Sequence, residues 1–178
     1  MVLYEVKVQL QDINPPIWRL LRVRPQIRLP RFHKILQKAM GWTNSHLHLF
    51  EIDGKDYGES DFEWDFDVED YAQIKLEDVF SAGRQSFLYE YDLGDSWRHE
   101  ITLLKTVEGE PGERIACIDG ARACPPEDCG GASGYSYLLE ALADPRHEDH
   151  DMMMEWTGGK FDPEAFDVTR VDRALKRL

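Results

Sequence analysis

The chain has 178 residues, of which 42% are hydrophobic and 11% aromatic, so it carries enough apolar surface for a packed core and is not disordered. Its 34 Asp and Glu outnumber its 21 Lys and Arg, giving a net charge of −13, which favours protein or small-molecule partners over nucleic acid. No apolar run is long enough for a membrane span, and the first residues do not resemble an export signal. We therefore expect a cytoplasmic protein with one domain over residues 1–178 and no membrane partner. The oligomeric state is left open.

The basic residues are concentrated near the start of the sequence. Residues 1–40 contain eight Lys and Arg but only Glu5 and Asp12 among the acidic residues. Such a segment more commonly pairs with the acidic majority of a protein, but it would bind nucleic acid if it folded into one exposed patch. The residues of that patch would be Arg19, Arg22, Arg24, Arg28, Arg31, Lys34 and Lys38.

The pattern of apolar side chains predicts an α+β fold. Period-2 alternation predicts strands at 3–10, 17–23, 46–53 with a short return through Tyr57, 87–91 and 97–103. Helical periodicity predicts a helix from Pro30 to Met40, one with the stripe Tyr135, Leu138, Leu139 and Leu142, one at 148–157, and one after an N-cap at Asp167. The Gly/Pro-rich segment 119–134 is expected to be irregular. Together these elements predict a mainly antiparallel sheet of about five or six strands with helices packed on one face.

An acidic run at 59–70 alternates carboxylates with Phe62, Trp64, Phe66 and Val68. It is interpreted either as an amphipathic edge strand or as a loop held by its aromatic side chains. Its acidic residues would suit a basic partner, but more commonly such residues form a solvated face that keeps an edge strand from pairing.

Four phrases occur in a distinctive order: FHKI to AMGW at 32–42, HLHLF at 46–50 with Tyr57-Gly58, YDLGDSWRH at 91–99 and ACPPEDCGG at 123–131. Together with GGKFDPEAFD at 158–167, they resemble the plasmid pRiA4b ORF-three-like family over nearly the whole chain. The resemblance implies a cytoplasmic prokaryotic α+β domain, often found on plasmids or near mobile elements and sometimes labelled resolvase-like. It implies no established reaction. Serine recombination needs an activated serine among clustered arginines, an arrangement that the sequence does not display.

Histidines and acidic residues of these phrases form a candidate cleft. His46 and His48 would share a strand face and meet His33 if the helix crosses that strand, as in many metal sites; alternatively, one lies in the core and another at an edge. Asp92 and Asp95 would hold a metal or act as acid and base, or else bond the backbone of their own turn. The full set is His33, His46, His48, Asp92, Asp95, Trp97, His99, Glu127 and Asp128.

Two further features of this set have alternative interpretations. His99 falls on the same strand side as Trp97, where a buried core histidine is common. Glu127 follows two prolines, so it would accept backbone N–H bonds from the nearby glycines or form the wall of a pocket.

Cys117, Cys124 and Cys129 lie close together in the sequence. Three thiolates and one histidine, such as His147, His150 or His99, would satisfy tetrahedral zinc, so zinc is the cofactor to consider. The more common alternative is three partly buried thiols. An odd number of cysteines without an export signal argues against a disulfide framework.

These observations leave two functions open. The leading hypothesis is a non-enzymatic binding or accessory module, linked to mobile elements by the resemblance alone. The alternative is a metal-dependent hydrolase that acts on a phosphate or nucleic-acid-derived substrate through a His/Asp/Glu cluster. An enzyme of this kind needs ligands within coordination distance and an open position for water, whereas a module tolerates these side chains buried and mutually satisfied.

Overall fold

The computed structural model describes residues 1–60, 62–64, 66–81 and 83–178. Their strands are β1 (Val2–Leu10), β2 (Trp18–Val23), β3 (His48–Ile52), β4 (Lys55–Gly58), β5 (Val68–Asp70), β6 (Ser86–Tyr91), β7 (Trp97–Glu108) and β8 (Ala116–Ala121). The helices are α1 (Leu29–Met40), α2 (Leu76–Ser81), α3 (Gly131–Ala143), α4 (His150–Trp156) and α5 (Val168–Leu175). The α+β class is confirmed, but the prediction of five or six strands is wrong, because the described sheet has eight.

The eight strands form one mixed sheet in the order β5-β4-β3-β6-β7-β1-β2-β8. Neighbours are antiparallel except for β4 and β5, which are parallel. The sequence does not predict strand β8, because ACIDGA lacks the aromatic and most of the β-branched residues that favour strands. It forms by pairing with β2. Residues 119–121 therefore belong to a strand, which corrects the expectation of an irregular segment from 119 onward.

One face of the sheet packs against α1. Tyr89 lies opposite Phe50 on one side and opposite His99 on the other, so all three side chains point to the same face, and all are fully buried. The ring of Phe32 in α1 lies over this face, with its centroid 6.4 Å from those of both Phe50 and Phe87. Large aromatic side chains thus fill the space between α1 and the sheet.

A buried guanidinium joins α1 to the last two strands of the sheet. Arg19 in β2 is 2% exposed, and its Nε donates to the carbonyl of Ala39 at 3.0 Å. Its Nη1 donates to the carbonyls of Trp18 and Ala121 at 2.7 and 2.9 Å, and the group lies over the ring of Phe166. These acceptors compensate for the loss of water around the charge.

The end of α1 and the start of α5 follow local signals. Helix α1 ends at Gly41, whose φ of +110° is one that a glycine adopts readily, and Asp167 caps α5 by accepting from the backbone N–H groups of residues 169 and 170. Helix α3 begins at Gly131, earlier than its apolar stripe predicts. At 13 residues it is the longest helix in the described ranges, and none of the helices there is long and apolar enough to cross a membrane.

The acidic run ends in the edge strand β5, which pairs with β4 and exposes Glu69 and Asp70. This agrees with the edge-strand interpretation for these residues. The preceding segment agrees with the loop interpretation, because the ring of Trp64 contacts those of Phe62 and Phe66 at centroid distances of 4.7 and 5.7 Å. Positions 61 and 65 of the run lie outside the described residues.

Candidate metal centre

Three connections meet beside the start of β3 and the end of β6. The first, between α1 and β3, contains His46; the second is the β6–β7 turn, which begins at Asp92; the third, between β8 and α3, contains Glu127 and Asp128. The backbone N–H of Asp92 donates to the carbonyl of Leu47 at 2.8 Å, which extends the β3–β6 pairing by one step. This pairing brings the first two connections side by side.

One imidazole nitrogen faces three carboxylates at this junction. Nε2 of His46 lies 3.1 Å from Asp128 Oδ1, 3.6 Å from Asp92 Oδ2 and 3.8 Å from Glu127 Oε2. Ligand atoms of His46, Asp92 and Asp128 all lie within 4.8 Å of one another, and no other group of His, Cys, Asp and Glu in the described ranges does so. This Nε2 is buried and makes no hydrogen bond to any described residue. We call His46, Asp92 and Asp128 the metal-ligand cluster.

The two aspartates of the cluster are placed by the backbone around them. Both have a φ of +57°, a left-handed conformation that aspartate tolerates better than most residues. Oδ1 of Asp92 accepts from the N–H groups of Gly94 and Asp95 at 3.1 and 3.3 Å, while its Oδ2 faces His46. Asp92 therefore bonds its own turn, as one interpretation predicts, and keeps one oxygen for the cluster. The side chain of Asp128 is 72% exposed and forms the side of the metal-ligand cluster that faces solvent.

Glu127 ties two of the connections together. Its Oε1 accepts from the N–H and the hydroxyl of Thr43 at 2.7 and 2.9 Å and from the hydroxyl of Tyr91 at 3.1 Å. The Tyr91 hydroxyl also accepts from the N–H of Ser45, and burial raises the pKa of Tyr91 to about 12, so it stays a donor at neutral pH. Glu127 thus accepts from Thr43 and Tyr91 rather than from the glycines, and it orients the loop beside His46.

Asp95 acts on α3 rather than on the cluster. Its Oδ2 accepts from the N–H of Gly130, the residue at the N-cap of α3, at 3.0 Å. Both aspartates of the β6–β7 turn therefore bond backbone groups, and only Asp92 also approaches His46.

His33 and His48 stack on each other instead of joining the cluster. Their ring centroids are 3.4 Å apart and their planes differ by 6°. His33 bonds the hydroxyl of Tyr89 and Oδ1 of Asn44 at 2.9 and 2.7 Å, and Nε2 of His48 bonds the hydroxyl of Tyr71 at 3.1 Å. Burial lowers the pKa of His33 to about 4 and that of His48 to about 3, so both rings are neutral at pH 7.

A cleft of about 530 Å³ adjoins the metal-ligand cluster and is lined by His33, His46 and His48. The predicted convergence of His33, His46 and His48 therefore takes place around a cleft and not around one ion. Aromatic residues form another part of its lining, and a lysine lies there as well. The remaining lining residues are Pro30, Lys34, Asn44, Ser45, Leu47, Glu59, Phe62, Trp64 and Tyr71.

Trp97 and His99 belong to the core, at 1% and 0% exposure. Nε2 of His99 accepts from the indole N–H of Trp42 at 3.4 Å, and its Nδ1 faces the carbonyl of Tyr89 at 3.3 Å. Because an indole nitrogen only donates, the imidazole proton lies on Nδ1. Burial lowers the pKa of His99 to about 4.

The three cysteines are free thiols, with Cys117 buried and the other two partly buried. Their sulfur atoms do not meet the 4.8 Å condition together, since in the described part of the chain only the metal-ligand cluster does. Burial raises the pKa of Cys117 to about 11 and that of Cys129 to about 12, which keeps these thiols protonated. A zinc ion on these cysteines stays a prediction.

Thr43 and Tyr91 support the site, although neither belongs to the candidate cleft that the sequence predicts. The alternation of residues 87–91 points Tyr91 inward. A buried tyrosine hydroxyl needs a partner, so this position carried a usable signal. Thr43 lies in a short loop without such a pattern, and its contact with Glu127 depends on the tertiary fold.

Comparisons with known proteins agree with this architecture over nearly the whole chain. A family model described as "Plasmid pRiA4b ORF-3-like protein" matches residues 2–170. The chain is 39% identical over 175 residues to "Uncharacterized protein y4hQ" of Sinorhizobium fredii, covering 97% of this chain and 90% of that protein. It is also similar to the crystal structure of the protein of unknown function MM3350 from Methanosarcina mazei Go1, with a TM-score of 0.86 and 35% identity, covering 94% of this chain and 96% of that one. The names of these relatives state no activity.

Proposed function

The chain belongs to the plasmid pRiA4b ORF-3-like family, and we propose that it is a binding module that holds a small ligand on a divalent cation. One observation carries this proposal: the buried Nε2 of His46, which has no hydrogen bond to a described residue, faces carboxylate oxygens of Asp92 and Asp128. An unprotonated ring nitrogen and carboxylate oxygens all present lone pairs, so they repel one another unless a proton or a cation lies between them. A divalent cation would satisfy all three groups at once.

The donor set indicates the class of cation. One imidazole nitrogen and two carboxylate oxygens suit Mn²⁺, Fe²⁺ or Zn²⁺, whereas soft ions such as Cu⁺ prefer thiolates. Three protein ligands leave coordination positions for water or for an oxygen atom of a ligand. Glu127, held by Thr43 and Tyr91, would stabilise the loop behind the ion without needing to bind it directly.

The cleft beside the cluster is suited to the rest of such a ligand. His46 belongs both to the cluster and to the lining of the cleft, so a group bound to the cation would extend into it. Phe62, Trp64 and Tyr71 offer apolar and aromatic surface there, and Lys34 offers a positive charge. A ligand in this cleft would meet polar side chains and one aromatic wall.

We place this activity in the cytoplasm, in one domain over residues 1–178, with a small ligand or a protein as partner. Three free thiols are typical of a reducing compartment. A net charge of −13 opposes long polyanions and therefore disfavours nucleic acid as the main partner.

A metal-dependent hydrolase acting on a phosphate or nucleic-acid-derived substrate is the second candidate function. It is favoured by the three-ligand cluster, because the open coordination positions would activate a water molecule beside a substrate held in the cleft. Against it, His33, His48 and His99 are neutral and bonded to other side chains or to backbone, so they offer no free acid at neutral pH.

The experiment is a calorimetric titration of chelator-treated protein with Mn²⁺ and Zn²⁺. The proposal predicts one cation per chain and a loss of affinity of at least about tenfold in His46→Gln, Asp92→Asn and Asp128→Asn. Asp128→Asn is the informative variant if Asp92→Asn disturbs its turn, since the side chain of Asp128 is 72% exposed. Bis(p-nitrophenyl) phosphate serves as the substrate probe for the second candidate.

Asp151→Asn is the matched control, because it removes one exposed carboxylate from α4, outside the cluster. Absence of stoichiometric binding, or an equal loss in the control, would overturn the cation site. Binding without hydrolysis supports the module. Cation-dependent hydrolysis that Asp92→Asn abolishes and Asp151→Asn retains would support the hydrolase instead.

A further inference from the structure

A second cavity, of about 320 Å³, is basic although the whole chain is acidic. Arg24, Arg31, Arg114 and Lys176 line it, and no Asp or Glu belongs to its described lining. It shares no lining residue with the cleft beside the metal-ligand cluster. Four cations around one concavity repel one another, so the arrangement favours an anion between them. We call this the basic cavity.

Backbone contacts hold two of the guanidinium groups in place. Nη2 of Arg24 donates to the carbonyl of Glu113 at 3.0 Å, and Nη2 of Arg31 donates to the main-chain oxygen of Leu178, the last residue of the sequence, at 2.6 Å. Each guanidinium has five N–H donors, so these single bonds fix its position and leave other donors available. The carbonyl of Glu113 does not neutralise the charge of Arg24, which therefore still acts on the cavity.

The other two cations differ in how they are compensated. Arg114 makes no hydrogen bond and no ion pair with any residue in the described ranges, whereas Lys176 pairs with Asp172 at 2.6 Å. The nearest carboxylate along the chain from Arg114 is that of Glu113, which is bonded to Arg22 at 3.2 Å. Arg24 and Arg114 therefore keep positive charges that no described side chain compensates.

We propose that the basic cavity binds the phosphate group of a small phosphate monoester. Guanidinium groups pair with phosphate oxygens through two parallel N–H bonds, and several of them converge here. Apolar side chains complete the lining and would contact the organic part of the ligand. They are Ile27, Ile115, Leu175 and Leu178.

The wider basic segment does not form a patch suited to a nucleic acid backbone. Arg19 is buried among carbonyl groups, and Arg22 pairs with Glu5 and Glu113 at 2.7 and 3.2 Å. Two of the arginines that the nucleic-acid hypothesis requires are therefore internal or neutralised. The surrounding acidic molecule repels a long polyanion more than it repels one phosphate group.

The test is a calorimetric titration at low ionic strength with adenosine monophosphate, inorganic phosphate and adenosine. The monophosphate is expected to bind more tightly than inorganic phosphate, and adenosine is expected not to bind measurably. Arg114→Gln should lower the affinity for the monophosphate at least about tenfold. Because the guanidinium of Arg114 has no described partner, we expect its removal to leave the fold intact. Arg31→Gln, tested separately, should also weaken it.

Arg146→Gln is the matched control, because it removes one positive charge from a side chain that is 89% exposed and lies outside the basic cavity. Arg146→Gln is expected to change the affinity for the monophosphate by less than about twofold, because it alters only the overall electrostatic field of the protein. Absence of monophosphate binding, or an equal loss in Arg146→Gln, would overturn the site. Binding of a short DNA duplex through Arg114 without binding of the monophosphate would also overturn it, in favour of a nucleic-acid surface.

Discussion

The backbone carbonyl oxygen of Asp95 lies too close to Gly131 to leave room for a β-carbon on that residue. The β6–β7 turn and the first residue of α3 are therefore in direct contact, with no space for a side chain between them. The carboxylate of Asp95 strengthens the same contact by accepting from the N–H of Gly130. This explains why α3 begins with a glycine, which is otherwise a poor helix former.

Replacing Gly131 by alanine should strongly destabilise the protein. Gly158→Ala is the matched control, because both glycines have a φ of +66° but nothing lies within 4 Å of a β-carbon on Gly158. In the control, alanine at a positive φ should lower the free energy of unfolding by about 1 kcal/mol. Gly131→Ala adds a steric overlap and should lower it by about 3 kcal/mol or more. Urea denaturation measures both free energies of unfolding. Equal losses would contradict the close approach of Asp95.

The buried His99 should make stability fall with acidity. Its pKa is about 4 in the folded protein against an ordinary value of 6.5, so between these values the unfolded chain binds a proton that the folded chain does not. The contribution of the neutral His99 side chain to the free energy of unfolding is complete above pH 6.5 and is lost as the pH falls towards 4. The free energy of unfolding, measured in urea from pH 7.5 to 5, should therefore decrease, and should decrease less steeply in His99→Gln. Stability that stays level over this range would refute the neutral, buried state of His99.

Glu127 and Asp128 should respond oppositely to loss of charge. Glu127→Gln weakens charge-assisted bonds from Thr43 and Tyr91 and should lower the free energy of unfolding by about 1–3 kcal/mol. Asp128→Asn, in metal-free protein, removes one of the carboxylates facing His46 and should leave stability unchanged or raise it by a few tenths of a kcal/mol. Both changes are isosteric, so thermal or urea denaturation compares them directly. A marked loss in Asp128→Asn would show that its carboxylate is structural.

The cysteines should react slowly with a thiol reagent in the native protein. Raised pKa values, about 11 for Cys117 and about 12 for Cys129, leave little thiolate at pH 8. In urea all three thiols should react at the rate of a free cysteine. Elemental analysis of the same sample decides the zinc prediction: near-stoichiometric zinc with protected thiols would establish a cysteine site and contradict the free thiols seen here.

Elements with a strong local signal were predictable from the sequence. The apolar period of α1 and its end at Gly41 require no knowledge of the rest of the chain, and Asp167 caps α5 through its own neighbours. The β8 strand is different, because its small residues become a strand only where β2 offers backbone partners. Its existence depends on long-range pairing, which local propensity does not contain.

The candidate site was predictable as a set of residues but not as a geometry. The sequence pattern groups His46 with His48, because a strand from residue 46 would place both side chains on one face. The strand begins at His48, so the side chain of His46 is free of that alternation and turns towards Asp92. Asp128 reaches His46 only because the β8–α3 connection returns to the start of β3 and the end of β6. Residue type therefore indicated the chemistry, and tertiary pairing selected which side chains meet.

The guanidinium of Arg19 bonds a carbonyl at the end of α1 and another at the end of β8. Moving either element away would leave donors of a charged group unpaired and out of water, which costs several kcal/mol. We therefore expect the two elements to open to solvent together, so that their backbone amides exchange hydrogen for deuterium through one shared opening. Strand β8, an edge strand made of small residues, should then show the slow exchange that is typical of a core.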